Sequence, residues 1–476
     1  MRALLISTYE LGRQPFGLAS PAAWLRQAGW QVQCVDLTKD RLRGEAITGA
    51  ALIGFHLPMH TATRLSAPVI AKARELNPSA RLCAYGLYAP LNVEWLRSVG
   101  IDDILGGEFE EELTSIAREI AGSTAGGGAA PPLSKAGAWR SGRDTQIPRI
   151  HFLVPDRRDL PALDRYATLH MPDGTSRIVG STEASRGCKH LCRHCPVVPV
   201  YEGQFRIVAP DVVLADIAAQ VAAGAQHITF GDPDFFNGPT HAVRIVDALH
   251  AAHPSITYDV TIKIEHLLKY PSLLGRLRDT GCLFVTSAVE SVDDVALKRL
   301  DKGHTRSDFV EAVARCRACG LTLVPTFVAF QPWLTLAGYC DLLDTIEGLD
   351  LVDHIAPIQL AIRLLIPQGS KVMELEDVRA IVEGFDPVTL TYRWSHADPR
   401  VDALQREIAA LVGVRIAGDR RAVFEEISAL AHERAGLPRI APAPSTQATA
   451  GASRVPYLSE PWYCCAEPNP EEVMLV

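Results

Sequence analysis

Three cysteines fall within eight residues of one polar stretch, EASRGCKHLCRHCPV (183–197), in the spacing Cys188-x3-Cys192-x2-Cys195. Gly187 before the first thiol and Pro196 after the third favour a loop that wraps around a centre, since a regular helix could not enclose one. Thiolates ligate iron–sulfur clusters, normally four to a cubane, so three protein ligands leave one iron open to a substrate or cofactor. Arg186, Lys189 and Arg193 lie among the thiols and are expected to favour deprotonated sulfur and a negatively charged cluster. A zinc site is the competing reading, but it normally needs four ligands, and His190 or His194 would have to complete it.

The remaining cysteines read differently. Eleven in one chain that starts with no secretory signal are expected to be thiols, not a disulfide framework. Cys34, Cys83, Cys282 and Cys340 stand alone and read as small core residues. Cys316 and Cys319 fit partly buried positions near a helix end.

A chain of 476 residues exceeds one ordinary core and implies two or three domains. With 47% hydrophobic and 21% charged residues it has the balance of a soluble globular protein, and a formal charge of -8 gives nucleic acid no basic face. The apolar run before Glu10 is too short for a signal peptide, and nothing approaches the roughly 20 residues of a membrane span. A cytoplasmic protein with no membrane or nucleic-acid partner is expected.

Residues 1–121 alternate strand-like runs (3–7, 32–37, 51–55, 81–86) with amphipathic segments (61–76, 108–121), the pattern of a Rossmann-like parallel sheet. A Gly, Ala, Ser and Pro linker follows at 122–147. Over 148–370 the alternation resumes, with strands expected at 178–185, 226–231, 257–264, 282–290, 321–330 and 354–363 and helices such as 210–223, 240–252 and 307–319. Six strand–helix units suggest an α/β fold of the partial (β/α)6, TIM-like kind. Residues 371–440 read mainly as helices, 402–412 and 420–435 most clearly, followed by a linker at 441–456 and a tail at 457–476.

The cysteine spacing after the first strand of a partial barrel resembles the radical S-adenosylmethionine (SAM) superfamily. That resemblance implies a [4Fe-4S] cluster on Cys188, Cys192 and Cys195, with the open iron chelated by the amine and carboxylate of SAM. One electron from the reduced cluster then breaks a carbon–sulfur bond, usually releasing a 5′-deoxyadenosyl radical. A small-molecule substrate and an electron donor such as flavodoxin or ferredoxin are implied as partners. GDPDFFNGP (231–239) resembles the glycine-rich second-strand motif that binds the methionine amino group, which points to Gly231, Asp232 and Asp234; a plain Asx turn also explains it. Glu290, ending the fourth strand, resembles a contact to the ribose or methionine part, in a catalytic position. Lys263 and Glu265 at the third strand end and Arg363 at the sixth are cofactor or substrate contacts, or ion pairs at the rim.

A Rossmann-like domain ahead of the barrel resembles the cobalamin-binding branch of the superfamily. The Asp-x-His-x-x-Gly loop that supplies a lower histidine ligand is absent, and His56 after the third strand has different surroundings. Either cobalamin binds without a histidine, or the domain only packs on the barrel.

Trp462-Tyr463-Cys464-Cys465-Ala466-Glu467-Pro468 closes the argument. Adjacent cysteines are poor disulfide partners but good soft ligands and nucleophiles. A linker of about 20 residues spans roughly 25 Å, enough to return the tail to a barrel mouth. The ending resembles the CUAEP/CCAEP-tail radical SAM proteins, in some of which selenocysteine takes the first of the two positions. That implies a catalytic role for Cys464 and Cys465, as soft-atom ligands or as a thiol relay. A related group tied to arsinothricin biosynthesis ends in Arg-Cys-Cys-Leu-Lys-Cys, which this chain lacks. The expected activity is reductive SAM cleavage driving group transfer or rearrangement on a small molecule. Its alternatives are cobalamin-dependent radical methylation and aminocarboxypropyl transfer to a metalloid or thiol. A non-catalytic metal or metalloid thiol sensor is the reading from outside enzymology, and it needs no pocket rimmed by carboxylates.

Overall fold

Successive residues of the first strand enter different cores: Ala3 and Leu5 join one, Leu4 and Ile6 the other. A strand does this only where helices cover both faces of its sheet. In the computed structural model, which describes residues 1–125, 147–414, 419–439 and 455–460, this strand is β1 (Arg2–Ser7). It lies in a five-stranded parallel sheet with β2 (Gln31–Asp36), β3 (Leu52–His56), β4 (Arg81–Tyr85) and β5 (Asp103–Leu105). Helices Phe16–Gln27 and Glu110–Ala125 cover one face and His60–Leu76 the other. The order β2-β1-β3-β4-β5 puts the topological switch at β1 and β3, where open α/β sheets form a crevice beyond their carboxyl ends. The sequence indicated four of these strands; β5, only three residues long, carries too little pattern to stand out.

The second sheet opens on the antiparallel pair β6 (Thr168–His170) and β7 (Ser176–Thr182). Next, β8 (Ser185–Gly187) and β9 (Phe205–Ile207) form a separate ribbon. The barrel strands β10 (His227–Phe230), β11 (Thr257–Thr261), β12 (Cys282–Glu290) and β13 (Thr322–Phe327) then run parallel to β7. The sixth expected strand, 354–363, is not one. It forms short 3-10 turns, Val352–His354 and Pro357–Leu360, and meets the sheet through a single parallel bridge from Arg363 to Phe330. Pro357, lacking an N–H for a ladder, begins the second turn.

Residues 371–440 depart from a mainly helical reading as well. A hairpin of β14 (Val382–Asp386) and β15 (Thr391–Trp394) precedes helices Pro399–Val414 and Arg420–Ala435. Leu404, Ile408, Phe424 and Ile427 of those helices join the barrel core. Finally β16 (Tyr457–Leu458) pairs antiparallel with β6, giving the order β13-β12-β11-β10-β7-β6-β16. Among the described residues no helix is long and apolar enough to cross a membrane.

The two sheets meet through their carboxyl ends. Leu57, Tyr88 and Leu91, just beyond β3 and β4, share a core with Val197, Val200 and Tyr201, and Cys188 and Cys195 pack against it.

Candidate functional site

The cysteine loop leaves the barrel sheet after β7, and the β8–β9 ribbon closes it at its base. Gly187 holds φ +74°, and a Cβ there would run into the Tyr201 ring and sit 2.6 Å from the Gln204 carbonyl oxygen. Only glycine fits. Cys192 is buried, Cys188 and Cys195 are half-buried, and all three are free thiols. Burial pushes the Cys188 thiol up to about 11, so it ionises only when a metal displaces its proton. The three thiols do not converge as the ligands of one ion do; among the described residues that convergence occurs at His190, Asp234 and His266. Of the two histidines that a zinc site would need, His194 is hydrogen-bonded to Glu290 and His190 lies 3.3 Å from Asp234.

The cation acting on the thiols is not the one the sequence suggested. Arg186 turns to three glutamates, Arg193 donates to the Arg299 carbonyl at 2.8 Å, and Lys189 reaches the Asn237 carbonyl at 3.3 Å. Lys302 takes that place. Burial works against its charge, but Glu290 and the thiols of Cys192 and Cys195 outweigh it and raise its pKa. Lys302 lies in a stretch with no distinctive spacing, and only the fold brings it back.

The loop after β10 serves the cysteine loop. The Asp232 carboxylate accepts from Ala184 N at 2.9 Å and from the Ser185 hydroxyl, holding the strand that leads into the cysteines. Its burial raises its pKa to about 7 against those hydrogen bonds. Asn237 accepts from Lys189 N at 3.4 Å and donates to the Gly187 carbonyl at 3.4 Å. Asp234 caps the turn by accepting from Phe236 N, while its other oxygen lies 2.7 Å from His266 Nδ1 and 3.3 Å from His190 Nε2. Both contacts fall off the imidazole N–H axes, so none of these three atoms has an aligned hydrogen bond. Burial opposes ionisation of Asp234, but the two imidazoles bring its carboxyl below its ordinary range. Gly231 has an ordinary backbone; a Cβ there would stand 3.9 Å from Arg13 Nη1, which arrives from the first domain. Asn237 and His266 were not singled out by the sequence.

Glu290 ends β12 at φ +69°, beyond a bulge that shifts the register with β13 between Ala288 and Glu290. A non-glycine residue in that conformation is held by its surroundings. Its Oε1 lies 3.0 Å from His194 Nε2 and 3.3 Å from Lys302 Nζ. Burial opposes its charge, but Lys302 and His194 prevail and hold its pKa at about 2. Glu290 is thus tied to the cysteine loop through His194, which lies between Cys192 and Cys195. Lys263 Nζ stands 3.5 Å from Glu265 at the end of β11. His304 is buried near Lys302 and Lys263 with no aligned hydrogen bond on either ring nitrogen, and burial lowers its pKa to about 4.

Arg363 is not part of this group. It pairs with Asp402 at 2.6 Å and lies 3.6 Å over the Trp394 ring, facing the carboxy-terminal helices. Cys464 and Cys465 lie outside the described residues. The four lone cysteines, Cys34, Cys83, Cys282 and Cys340, are buried, as core residues should be.

Arg186 joins the domains. It lies 2.9 Å from Glu108, 2.7 Å from Glu110 and 2.7 Å from Glu183, among the rings of Phe16, Phe109 and Phe152. At the carboxyl ends of the first sheet Ser7 Oγ, Asp36 Oδ2, Glu10 Oε2 and His56 Nδ1 are buried without an aligned hydrogen bond. His56 is stacked on Tyr85, 3.3 Å from Glu10, and fills the space where a Cβ on Gly17 would stand.

Residues 182–333 match the model of the radical SAM superfamily. A tRNA-2-methylthio-N(6)-dimethylallyladenosine synthase of Desulfosudis oleivorans is 28% identical over 38% of this chain and 40% of its own length. A hopanoid C-2 methylase of Rhodopseudomonas palustris is 20% identical over 37% of this chain and 34% of its own. The chain therefore spans well under half of these relatives. Among solved structures, the radical SAM methyltransferase TsrM of Kitasatospora setae, with cobalamin and a [4Fe-4S] cluster bound, superposes with a TM-score of 0.57 at 18% identity, covering 73% of this chain and 70% of that one. The cobalamin-dependent SAM radical enzyme OxsB, with aqua-cobalamin bound, gives 0.65 at 13% identity, covering 87% and 67%. Both likenesses are of fold and include the sheet that precedes the barrel. The three cysteines thus fall inside the segment, residues 182–333, that is similar to the radical SAM superfamily, whose cofactors are a [4Fe-4S] cluster and SAM.

Proposed function

We propose that the chain is a cobalamin-dependent radical SAM enzyme that transfers a small group to a small-molecule substrate in the crevice between its two sheets. The observation that carries this reading is the seating of the first sheet, whose β3 and β4 ends pack directly on the cysteine loop. The fold shared with two cobalamin enzymes supports it. When bound, the cluster and SAM supply reductive cleavage of a carbon–sulfur bond, and a corrin supplies a carrier for the group that moves.

The chain's own residues hold and orient these groups. Cys188, Cys192 and Cys195 ligate the cluster, while Asp232 and Asn237 fix the loop that presents them. Gly231 and Asp234 would hold the ammonium end of SAM. Glu290, kept ionised by His194 and Lys302, offers a fixed negative charge at the mouth, and Lys263 a positive one. Ser7 gives the first crevice a buried hydroxyl without a hydrogen-bond partner, and Asp36 and Glu10 add carboxylates beside it, which suits the amide-rimmed corrin. His56, walled in by Tyr85 and Gly17, is a packing residue, so the corrin binds without a histidine ligand. Cys464 and Cys465 serve as soft-atom ligands or as a thiol relay for the moving group.

The test is anaerobic reconstitution of the full chain with iron, sulfide and hydroxocobalamin, followed by SAM and a reductant. Retention of cobalamin through gel filtration and formation of 5′-deoxyadenosine or S-adenosylhomocysteine are expected. A chain that emerges free of cobalamin would remove the corrin from this reading. Methylthioadenosine as the product would replace it with aminocarboxypropyl transfer.

A further inference from the structure

Side chains from three separate segments meet at one point of the barrel mouth. His190 comes from the loop between Cys188 and Cys192, Asp234 from the turn after β10, and His266 from helix Ile264–Lys269, which follows β11. One ligand atom of each lies within 4.8 Å of the other two. Asp234 Oδ2 stands 2.7 Å from His266 Nδ1 and 3.3 Å from His190 Nε2. All three atoms are buried without an aligned hydrogen bond, and Asp234 and His266 are each only 1% exposed.

A pair of ordinary histidine–carboxylate hydrogen bonds does not account for this. A buried carboxylate oxygen between two imidazoles is expected on the axis of at least one N–H, and Oδ2 lies on neither. A shared ion accounts for it better. Donor atoms around a tetrahedral ion bound at about 2.0–2.1 Å lie roughly 3.3 Å apart, which is the spacing of His190 Nε2 from Asp234 Oδ2. The other oxygen of Asp234 is engaged: Oδ1 accepts from Phe236 N at 3.0 Å and so fixes the carboxylate. Behind His190, the Glu265 carboxylate stands 3.6 Å from Nδ1, the place an outer carboxylate takes behind a metal-bound imidazole. The His190 side chain is 11% exposed, so the site is reached from that side.

We propose that His190, Asp234 and His266 bind one divalent transition-metal ion, distinct from the iron–sulfur cluster, and that this ion excludes the SAM ammonium from Asp234. The exclusion rests on the assignment of Asp234 to that ammonium; the ion site itself rests on the three converging atoms. Two imidazole nitrogens and one carboxylate suit zinc or iron(II), whereas magnesium and calcium take oxygen. With Oδ1 held by Phe236 N, Oδ2 serves one cation at a time, since a doubly charged ion there repels an ammonium. A bound ion ties the cysteine loop, through His190, to the ends of β10 and β11. The chain thus has a metal-held form without SAM and a SAM-bound form without the metal.

The test is zinc binding to the full, cluster-loaded chain carrying Cys464→Ser and Cys465→Ser, in which those two thiols cannot take the metal. One zinc per chain is expected to survive gel filtration. Its K-edge absorption should show a nitrogen and oxygen shell at about 2.0–2.1 Å and no sulfur at about 2.3 Å. His266→Gln should weaken zinc binding by about a hundredfold, and Glu265→Gln, at the rim, by about tenfold, with iron per chain unchanged in both. Added SAM should weaken it in proportion to its concentration. No retained zinc, a sulfur shell, or an affinity indifferent to His266→Gln would each overturn the site. Zinc held equally tightly at saturating SAM would overturn the exclusion and remove Asp234 from the SAM contacts. SAM cleavage by the zinc-free parent chain is measured in parallel; its failure removes the radical reading and leaves the ion site to stand on its spectrum.

Discussion

Lys302 Nζ lies 3.3 Å from the Glu290 carboxylate, and both residues are more than nine-tenths buried at the mouth of the barrel. Removing Lys302 leaves the Glu290 charge in a dry site with His194 as its remaining cationic neighbour, and breaking such a buried pair costs about 3–5 kcal/mol. Lys302→Ala should therefore lower the urea midpoint of the cluster-free chain sharply. The double variant Lys302→Met with Glu290→Gln, which leaves no unpaired charge, should recover more than half of that loss. Equal destabilisation of the single and double variants would show that packing, not charge, is what Lys302 provides.

Gly187→Ala should separate folding from cluster binding. The new Cβ meets Tyr201 and the Gln204 carbonyl, and the positive φ adds about 1–2 kcal/mol of backbone strain. The loop can relieve this only by shifting Cys188, the next residue. Iron per chain after reconstitution should fall several-fold while far-ultraviolet circular dichroism is unchanged. Full iron loading in this variant would mean that the loop conformation is not what positions the first thiolate.

The parts of this molecule that were legible before the fold are those with local pattern. The cysteine spacing, the alternation of β1 to β4 and the Asp-rich turn at 231–239 are each written within a few neighbouring residues. Lys302 and His266 were not legible, because what makes them site residues is proximity across strand ends, with no signal in their own neighbourhood. Arg186 misled for the same reason: a cation next to a cysteine in sequence points, in space, at Glu108, Glu110 and Glu183. Residues 354–363 have the apolar content of a strand, but Pro357 and the packing of the carboxy-terminal helices leave them only one bridge to the sheet.

The Arg186 cluster has a pH signature. One guanidinium cannot balance two buried carboxylates and a half-buried third; burial, with Glu110 and Glu183 nearby, lifts Glu108 to about 7 although Arg186 pulls the other way. A carboxyl that binds its proton more tightly when folded gives stability that is full below its ordinary value of 4.5 and is lost as pH rises through about 7. Stability of the cluster-free chain should thus fall by on the order of 2 kcal/mol between pH 4.5 and 7 on account of this group. Asp232 adds to the slope in the same window. Glu108→Gln should reduce the slope without abolishing it, as read from urea midpoints at pH 5 and 8. An unchanged slope would place the proton elsewhere in the cluster.

Arg363 makes the opposite case, a strand-end cation whose partners lie outside the mouth. It pairs with Asp402, donates to the Trp394 carbonyl and stacks on the Trp394 ring, tying the bridge at Phe330 to helix Pro399–Val414 and to β15. The stacking and the ion pair together are worth about 1–2 kcal/mol at a half-buried site. Arg363→Ala should lower the melting temperature by a few degrees, while iron content and SAM cleavage per loaded chain stay at the parent level. Lysine at this position keeps the charge but not the planar stack, so it should restore less than half of the lost stability. A fall in SAM affinity in Arg363→Ala, at unchanged stability, would instead make this arginine a cofactor contact and require the carboxy-terminal helices to move aside to release it.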